Sequence, residues 1–271
     1  MKVYLHIGMS KAGSTAIQGC LAQHEGALRR AGVTFPKAGR TGGAHYALFL
    51  DLRDGRGAGA IAAMLDEAAG SRAMIVSVEG LWFLPDAAVQ ELADALAGHD
   101  VEAVLYLRRP DTYLTSSYRQ RIKKKRGTLG VRAYVQEDHA RLRYDHVLAR
   151  WAQHFPLRVR AYEAVRSDLV GDFARATGTV DVLDCPPGRR LNVTPSDGAL
   201  RLMRWANRLV SSGTLGLSVN RRLLAWQRAF AWMPPLDDAP LVARAREEAA
   251  RWDREVMARH LSPEDLAAIT P

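Results

Sequence analysis

Apolar and polar positions recur along the chain in two periods, and the order in which those periods follow one another predicts the architecture. Residues Lys2 to Gly8 (KVYLHIG) make a short β-branched and apolar run closed by glycine. After a polar stretch, Ile17, Leu21 and Leu28 return at helical spacing. The pattern predicts strand, loop, helix. It repeats at Ala73 to Val78 (AMIVSV), behind a helical stretch around 60–69, and at Val101 to Leu107 (VEAVLYL), behind another around 87–97. A fourth strand is predicted at Leu157 to Tyr162 (LRVRAY). It follows a helix carrying Val147, Leu148, Trp151 and Phe155 on one face and precedes a helix from Asp168 to Thr177 stopped by Gly178. Strands that alternate with helices imply crossover connections, hence an α/β fold: a three-layer parallel sheet with helices on both faces, like the P-loop nucleotide-binding folds.

From Pro186 onward no strand pattern remains. A loop rich in proline, glycine and arginine leads into helical segments holding Trp205, Trp226, Trp232 and Trp252, whose spacing is that of core tryptophans. With no long linker in between, the expectation is one domain over 1–271, an α/β core over 1–185 with a helical extension over 186–271 packed on it. Internal repeats are absent.

Composition narrows the class. The 271 residues are 48% hydrophobic and 25% charged, as in ordinary globular chains. No apolar run approaches the roughly 18 residues of a membrane span, and the start, MKVYLHIGMSKAGS, passes straight into glycine and lysine where a signal peptide would stay apolar. A cytoplasmic location is expected. Two cysteines, Cys20 and Cys185, match no metal spacing, and a chain of this length needs no staple, so free thiols are expected. Lys and Arg exceed Asp and Glu, 38 to 29, giving +9; only six of the 38 are lysine. That excess favours anionic partners without locating them.

The loop after the first strand locates one. Gly8-Met9-Ser10-Lys11-Ala12-Gly13-Ser14-Thr15 has nearly the spacing of a phosphate-binding GxxxxGK[ST] loop, with Ser14 where the lysine is expected and Lys11 three positions earlier. Backbone N–H groups at a helix N-terminus, with the Ser14 and Thr15 hydroxyls, form an anion cradle. No later strand ends in the aspartate that would help hold magnesium. A second element lies past the third strand: Arg108, in Tyr106-Leu107-Arg108-Arg109-Pro110-Asp111, is followed eight residues on by Ser116. The proline suits the first turn of a helix. A guanidinium fork and a neutral hydroxyl donor are what a second, separate phosphate requires.

Together these residues resemble the sulfotransferases that use 3′-phosphoadenosine 5′-phosphosulfate (PAPS). Lys11-Ala12-Gly13-Ser14-Thr15 is similar to their 5′-phosphosulfate loop, and Arg108 with Ser116 to their 3′-phosphate element. Tyr162-Glu163 resembles the segment that follows in the same order. The resemblance spans roughly residues 3–178. It is nearer the bacterial and carbohydrate-type branch, judged by HIGMSKAGSTAIQ and by GAHYAL at 43–48. The RKGxxG loop of the small-molecule enzymes is missing, and Arg189-Arg190-Leu191-Asn192 stands in a comparable place. The resemblance implies transfer of a sulfuryl group from PAPS, leaving adenosine 3′,5′-bisphosphate (PAP), to a hydroxyl or amine of a carbohydrate or other small acceptor, without a metal.

In-line sulfuryl transfer needs stabilisation of the bridging oxygen and a base for the acceptor. Lys11 fits the first role. For the second, Glu79, where the second predicted strand ends, and His45, with an ordinary pKa near 6.5, are alternatives. His6 lies within the first strand and reads as structural. The basic run Arg119, Arg121 and Lys123 to Arg126, ahead of Gly127, reads as a solvated helix end. A P-loop kinase or nucleotide hydrolase is the alternative enzyme. A nucleic-acid-binding module, motivated by charge alone, lacks zinc spacing, an aromatic RNA-binding signature or a paired recognition helix.

Overall fold

The structure is a computed structural model that describes residues 1–124, 127–137, 139–185, 195–209, 213–230 and 232–271, with backbone alone over 213–217. Its centre is a five-stranded, wholly parallel sheet in the order β2-β3-β1-β4-β5: β1 (Lys2–His6), β2 (Val33–Thr34), β3 (Ala73–Ser77), β4 (Asp100–Leu107) and β5 (Leu157–Ala161). The α/β class and parallel sheet expected from alternation are present. Every residue of β3 is buried, as is β4 from Ala103 to Leu107, so both sheet faces are covered. The pairing sets His6 beside Ser77 on β3 and beside Val104 on β4, which brings the carboxyl ends of these three strands to one edge.

β2 has no counterpart in the sequence pattern. Two residues carry no measurable period, and this strand is held mainly by its neighbour, the Gly32 carbonyl accepting the N–H groups of Arg72 and Ala73 at 2.8 and 3.2 Å.

The chain divides into two compact units. The first comprises 1–109, 143–188 and 252–269 and contains the sheet; the second comprises 110–142, 189–251 and 270–271. The expected helical extension over 186–271 is thus shared between them, and it contains no strand among the described residues.

In the first unit the helices are α1 (Ser14–Gln23), α2 (Glu25–Arg30), α3 (Tyr46–Arg53), α4 (Gly57–Glu67) and α5 (Asp86–Ala95). The second unit takes α6 (Pro110–Lys123) and α7 (Val131–Val135), and the chain then returns to the first with α8 (Tyr144–Ala152), α9 (Tyr162–Val165) and α10 (Leu169–Thr177). Two late helices, α14 (Arg254–His260) and α15 (Pro263–Ile269), also join the sheet unit, and specific bonds explain why. Trp252 stacks on Tyr144 with ring centroids 4.9 Å apart, and Asp253 caps α14 by accepting from the Glu255 and Val256 N–H groups. Asp265 accepts from Ala161 N at the end of β5 and from Arg160, whose other arm bonds Asp172 on α10. Tyr106 on β4 donates to the same Asp172; burial, then that carboxylate, holds its phenol well above the usual range.

Cys20 and Cys185 are joined in a disulfide, Cα atoms 6.1 Å apart, which corrects the expectation of free thiols. The pairing arises because α1 packs beside α10, and the chain leaving α10 passes the buried Cys20 side chain. The His24 imidazole lies 3.7 Å from one sulfur and 3.5 Å from the other, and its Nδ1 is 3.0 Å from the Cys20 carbonyl.

The second unit consists of α6 and α7 with α11 (Asp197–Leu209), α12 (Gly213–Ala225) and α13 (Ala239–Ala250). Arg119 forms ion pairs with Asp197 and Asp238, and Arg121 with Glu137. The last carbonyls of α6 are answered by amides, Asn207 donating to Ile122 O and Asn220 to Lys123 O, while Asn207 also donates to Gly127 O beyond the helix. The described part of the basic run is therefore a helix end braced within its own unit; Lys125 and Arg126 lie outside the described residues. The expectation of core tryptophans fails at three positions. Ala199, Leu200 and Met203 fill the buried side of α11, leaving Trp205 62% exposed, and Trp226 and Trp232 are 70% and 80% exposed; Trp252 alone of the four is buried. Half of the 38 Lys and Arg but fewer than a third of the 29 Asp and Glu belong to this unit, so it carries the whole positive excess. Among the described residues no helix is long and apolar enough to cross a membrane.

Candidate functional site

Strand order decides where a ligand fits. β1 and β4 are neighbours, yet the chain leaves β1 toward β2 and β3 and leaves β4 toward β5 on the opposite side. Loops that diverge from adjacent parallel strands open a crevice at the carboxyl edge, the usual ligand position in such sheets. The two motifs flank this crevice, with the Gly8–Thr15 loop after β1 and Arg108 after β4.

The loop has the backbone of an anion cradle. Gly8 has φ +28° and Gly13 φ +81°, and Lys11, at φ +70°, is the one non-glycine residue in the left-handed region among those described. Ala12 N donates to Met9 O at 3.3 Å, and Ala16 N to Gly13 O at 2.8 Å opens α1. The first-turn N–H groups of α1 have no acceptor within the helix, and the positive end of its dipole lies here. Gly13 is required twice over: its φ disfavours a side chain, and a Cβ there would collide with Leu169 Cδ2 and press on Tyr162. Ser14 is buried, its hydroxyl making a long contact of 3.5 Å to Met9 O, whereas Thr15 is exposed.

Arg108 ties the second motif to the first. Its Nη1 donates to the Lys11 carbonyl at 2.7 Å, its N–H approaches Met9 Sδ at 3.5 Å, and its guanidinium sits 5.6 Å from the centre of the Tyr162 ring. The Tyr144 hydroxyl donates to the Arg108 carbonyl at 2.7 Å. Glu163 accepts from the Arg109 N–H through both oxygens at 3.1 Å. Lys11, Ala12, Gly13, Ser14, Thr15 and Arg108 are thus gathered in the first unit. Ser116 is half-buried on α6 in the second unit; Arg189, Arg190 and Asn192 lie outside the described residues. Tyr144 and Leu169 support the loop without belonging to any motif, so sequence reasoning misses them, while Tyr162-Glu163 is visible through the ordered resemblance.

The two candidate bases differ. Glu79 begins the short 3-10 turn Glu79–Phe83 directly after β3, half-buried at the same carboxyl edge as the loop. His45 is fully buried: its Nδ1 accepts from Ser77 N at 3.0 Å and its Nε2 donates to Pro36 O at 3.0 Å. Both nitrogens are used in joining the Pro36 segment to β3, so neither is left for an acceptor hydroxyl.

Burial pushes the His45 imidazole down to about 4, and burial alone does the same to His6. Both are neutral when folded but protonate near 6.5 once unfolded. Unfolding therefore takes up protons between about pH 4 and 6.5, so their contribution to stability is complete above that window and falls as pH drops through it. His139 and His260 are lowered too and act in the same direction. Urea midpoints are expected to fall from pH 7.5 to pH 5, and His45→Gln to flatten that dependence. Equal midpoints at the two pH values would contradict these imidazole assignments.

No family model matches the chain, and no curated protein does. A solved structure from a characterisation of the PezAT chromosomal toxin–antitoxin system of Streptococcus pneumoniae aligns with 81% of this chain and 87% of that one, at 15% identity and a TM-score of 0.27. At that score it bears on neither the site nor the function.

Proposed function

We propose that the chain is a sulfotransferase that moves a sulfuryl group from PAPS to a hydroxyl or amine of a carbohydrate or other small acceptor. The observation that carries this reading is the 2.7 Å bond from Arg108 Nη1 to the Lys11 carbonyl, which unites the two phosphate-type motifs at the β1/β4 crevice. Loop N–H groups and the positive end of α1 receive the 5′-phosphosulfate, and Arg108, by resemblance, takes the 3′-phosphate. The acceptor oxygen attacks sulfur while its proton passes to Glu79. The bond from sulfur to the bridging oxygen breaks, and the electron pair stays on that oxygen, where the Lys11 ammonium stabilises it. Every charge in this scheme is answered by a side chain or by backbone N–H groups.

Thermal stability in the presence of PAP, with ATP plus magnesium as comparison, tests the donor. A ligand at about 100 times its dissociation constant stabilises by roughly 2.7 kcal/mol, a readable melting shift. The shift is expected with PAP and is expected to vanish in Arg108→Ala. A shift with magnesium-ATP alone would move the assignment to a kinase or nucleotide hydrolase.

A further inference from the structure

His6 ends β1, two residues ahead of the loop glycine Gly8, and is fully buried. Its Nδ1 lies 2.7 Å from the Ser77 hydroxyl, which also accepts from the Gln18 amide at 3.3 Å. Tyr106 and Phe173 flank the ring edge-on, with centroids 6.1 and 5.5 Å away. The far nitrogen, Nε2, is buried without any hydrogen-bond partner.

Two facts bear on what that nitrogen is and where it lies. Ser77 Oγ receives the Gln18 N–H on one lone pair and has its single proton to offer to His6 Nδ1. A neutral imidazole that accepts at Nδ1 carries its proton on Nε2. Burial keeps the ring neutral, with a pKa of about 4. Next, a Cβ built on Gly8 would meet Ser14 Oγ at 3.0 Å and His6 Nε2 at 3.3 Å, so Ser14 and the imidazole edge flank the same point of the loop. A buried ring nitrogen without a partner thus lies by the same point of the loop as a buried hydroxyl whose contact to Met9 O is long. Unpaired buried donors are costly and are kept where a ligand completes them.

We propose that His6 is a positioning residue for the bound oxyanion, the third link in a donor chain that runs Gln18 amide, Ser77 hydroxyl, His6 imidazole, Ser14 hydroxyl, anion. When a sulfate or phosphate group enters the loop, Ser14 donates to an anion oxygen and accepts from His6 Nε2–H. Every donor then points the same way, and each bond polarises the next. The anion gains a directed hydroxyl without a further buried charge, and its oxygen is held on the floor of the loop, opposite Lys11. This rests on the reading of Gly8–Thr15 as an oxyanion loop but not on the identity of the donor.

The test uses the whole protein and two probes, inorganic sulfate and PAP. Nitrogen-15 spectra of the histidines are expected to show His6 as the Nε2–H tautomer, with that resonance moving when sulfate is added; a Nδ1–H tautomer, or a resonance indifferent to both probes, overturns the chain. His6→Leu and Ser14→Ala are each expected to weaken sulfate binding about tenfold and the double variant no further, since they break one chain. His6→Gln, whose amide reaches the Nε2 position, is expected to recover most of the loss. Single losses that multiply in the double variant overturn the proposal. Sulfate binding with this coupling but no PAP binding rejects the donor and leaves the chain standing, whereas binding of neither probe rejects both. The spectra of the unmodified protein decide the matter should His6→Leu fail to fold.

Discussion

Lys11→Ala is expected to lower the turnover of sulfuryl transfer by at least about a hundredfold while leaving the melting temperature unchanged. The size follows from what the ammonium does, since a preorganised donor aimed at the oxygen on which charge develops is worth two to three orders of magnitude in turnover. The indifference of stability follows from the backbone. Lys11 sits at φ +70°, and alanine bears the same left-handed strain, so the substitution leaves the backbone of the loop as it was. Lys11→Gly separates the two effects, because glycine relieves the strain. It should be at least as stable as the unmodified protein and as inactive as Lys11→Ala. Lys11→Arg, which keeps the charge but spreads it over a plane, should fall between. Kinetics and melting curves on the three variants check the assignment. Full turnover in Lys11→Ala would remove Lys11 from the chemistry, and a large loss of stability there would make it a structural residue.

A strained non-glycine residue persists where the surroundings hold it, and here the holder is identifiable. Arg108 grips the Lys11 carbonyl from β4, and Tyr144 in turn grips the Arg108 carbonyl. The strain is thus supported from across the β1/β4 crevice, where stored backbone strain tends to accompany function. The same supports keep the loop in shape before any anion arrives, which reduces the ordering cost of binding.

Most of the sheet is legible in the sequence because β1, β3 and β4 are largely apolar runs and β5 alternates arginine with apolar residues after Pro156, a signal contained within each segment. β2 is illegible because two residues define no period. The two motifs are each legible behind a strand, Lys11 after β1 and Arg108 after β4, but the adjacency of β1 and β4 that brings them together belongs to the fold. Partnership over long separations is not legible. Helical periodicity tells which side of α11 is apolar but not that Ala199, Leu200 and Met203 suffice to fill it, and so it misplaces Trp205 in the core. His45 offers an attractive pKa in sequence, yet its saturation depends on Pro36 and Ser77, which only the fold brings to it. His6 reads as structural because strand alternation sees a buried polar residue and cannot see an unanswered Nε2 beside Gly8. Global charge points correctly to an excess of arginine but cannot show that the excess belongs to the second unit rather than to the sheet.

The same distance hides the disulfide, and its energetics can be measured directly. Cys20 and Cys185 are separated by 165 residues, so their bond closes a loop that takes in most of the first unit and part of the second. On the chain-entropy account, a cross-link of this span restricts the unfolded chain by about 5 kcal/mol, with the cost of opening it falling on global stability. Oxidised protein is therefore expected to lose about that much in urea unfolding on treatment with a thiol reductant. Cys185→Ser should start at the reduced value and ignore the reductant, since α1 and the chain after α10 keep their packing without the bond. Coincident curves for oxidised and reduced protein would mean that the two sulfurs do not pair in solution. Such coincidence would restore the free thiols expected from composition. A loss on reduction with PAP binding intact would instead mark the bond as a brace on the fold, separate from the oxyanion loop that leads into α1.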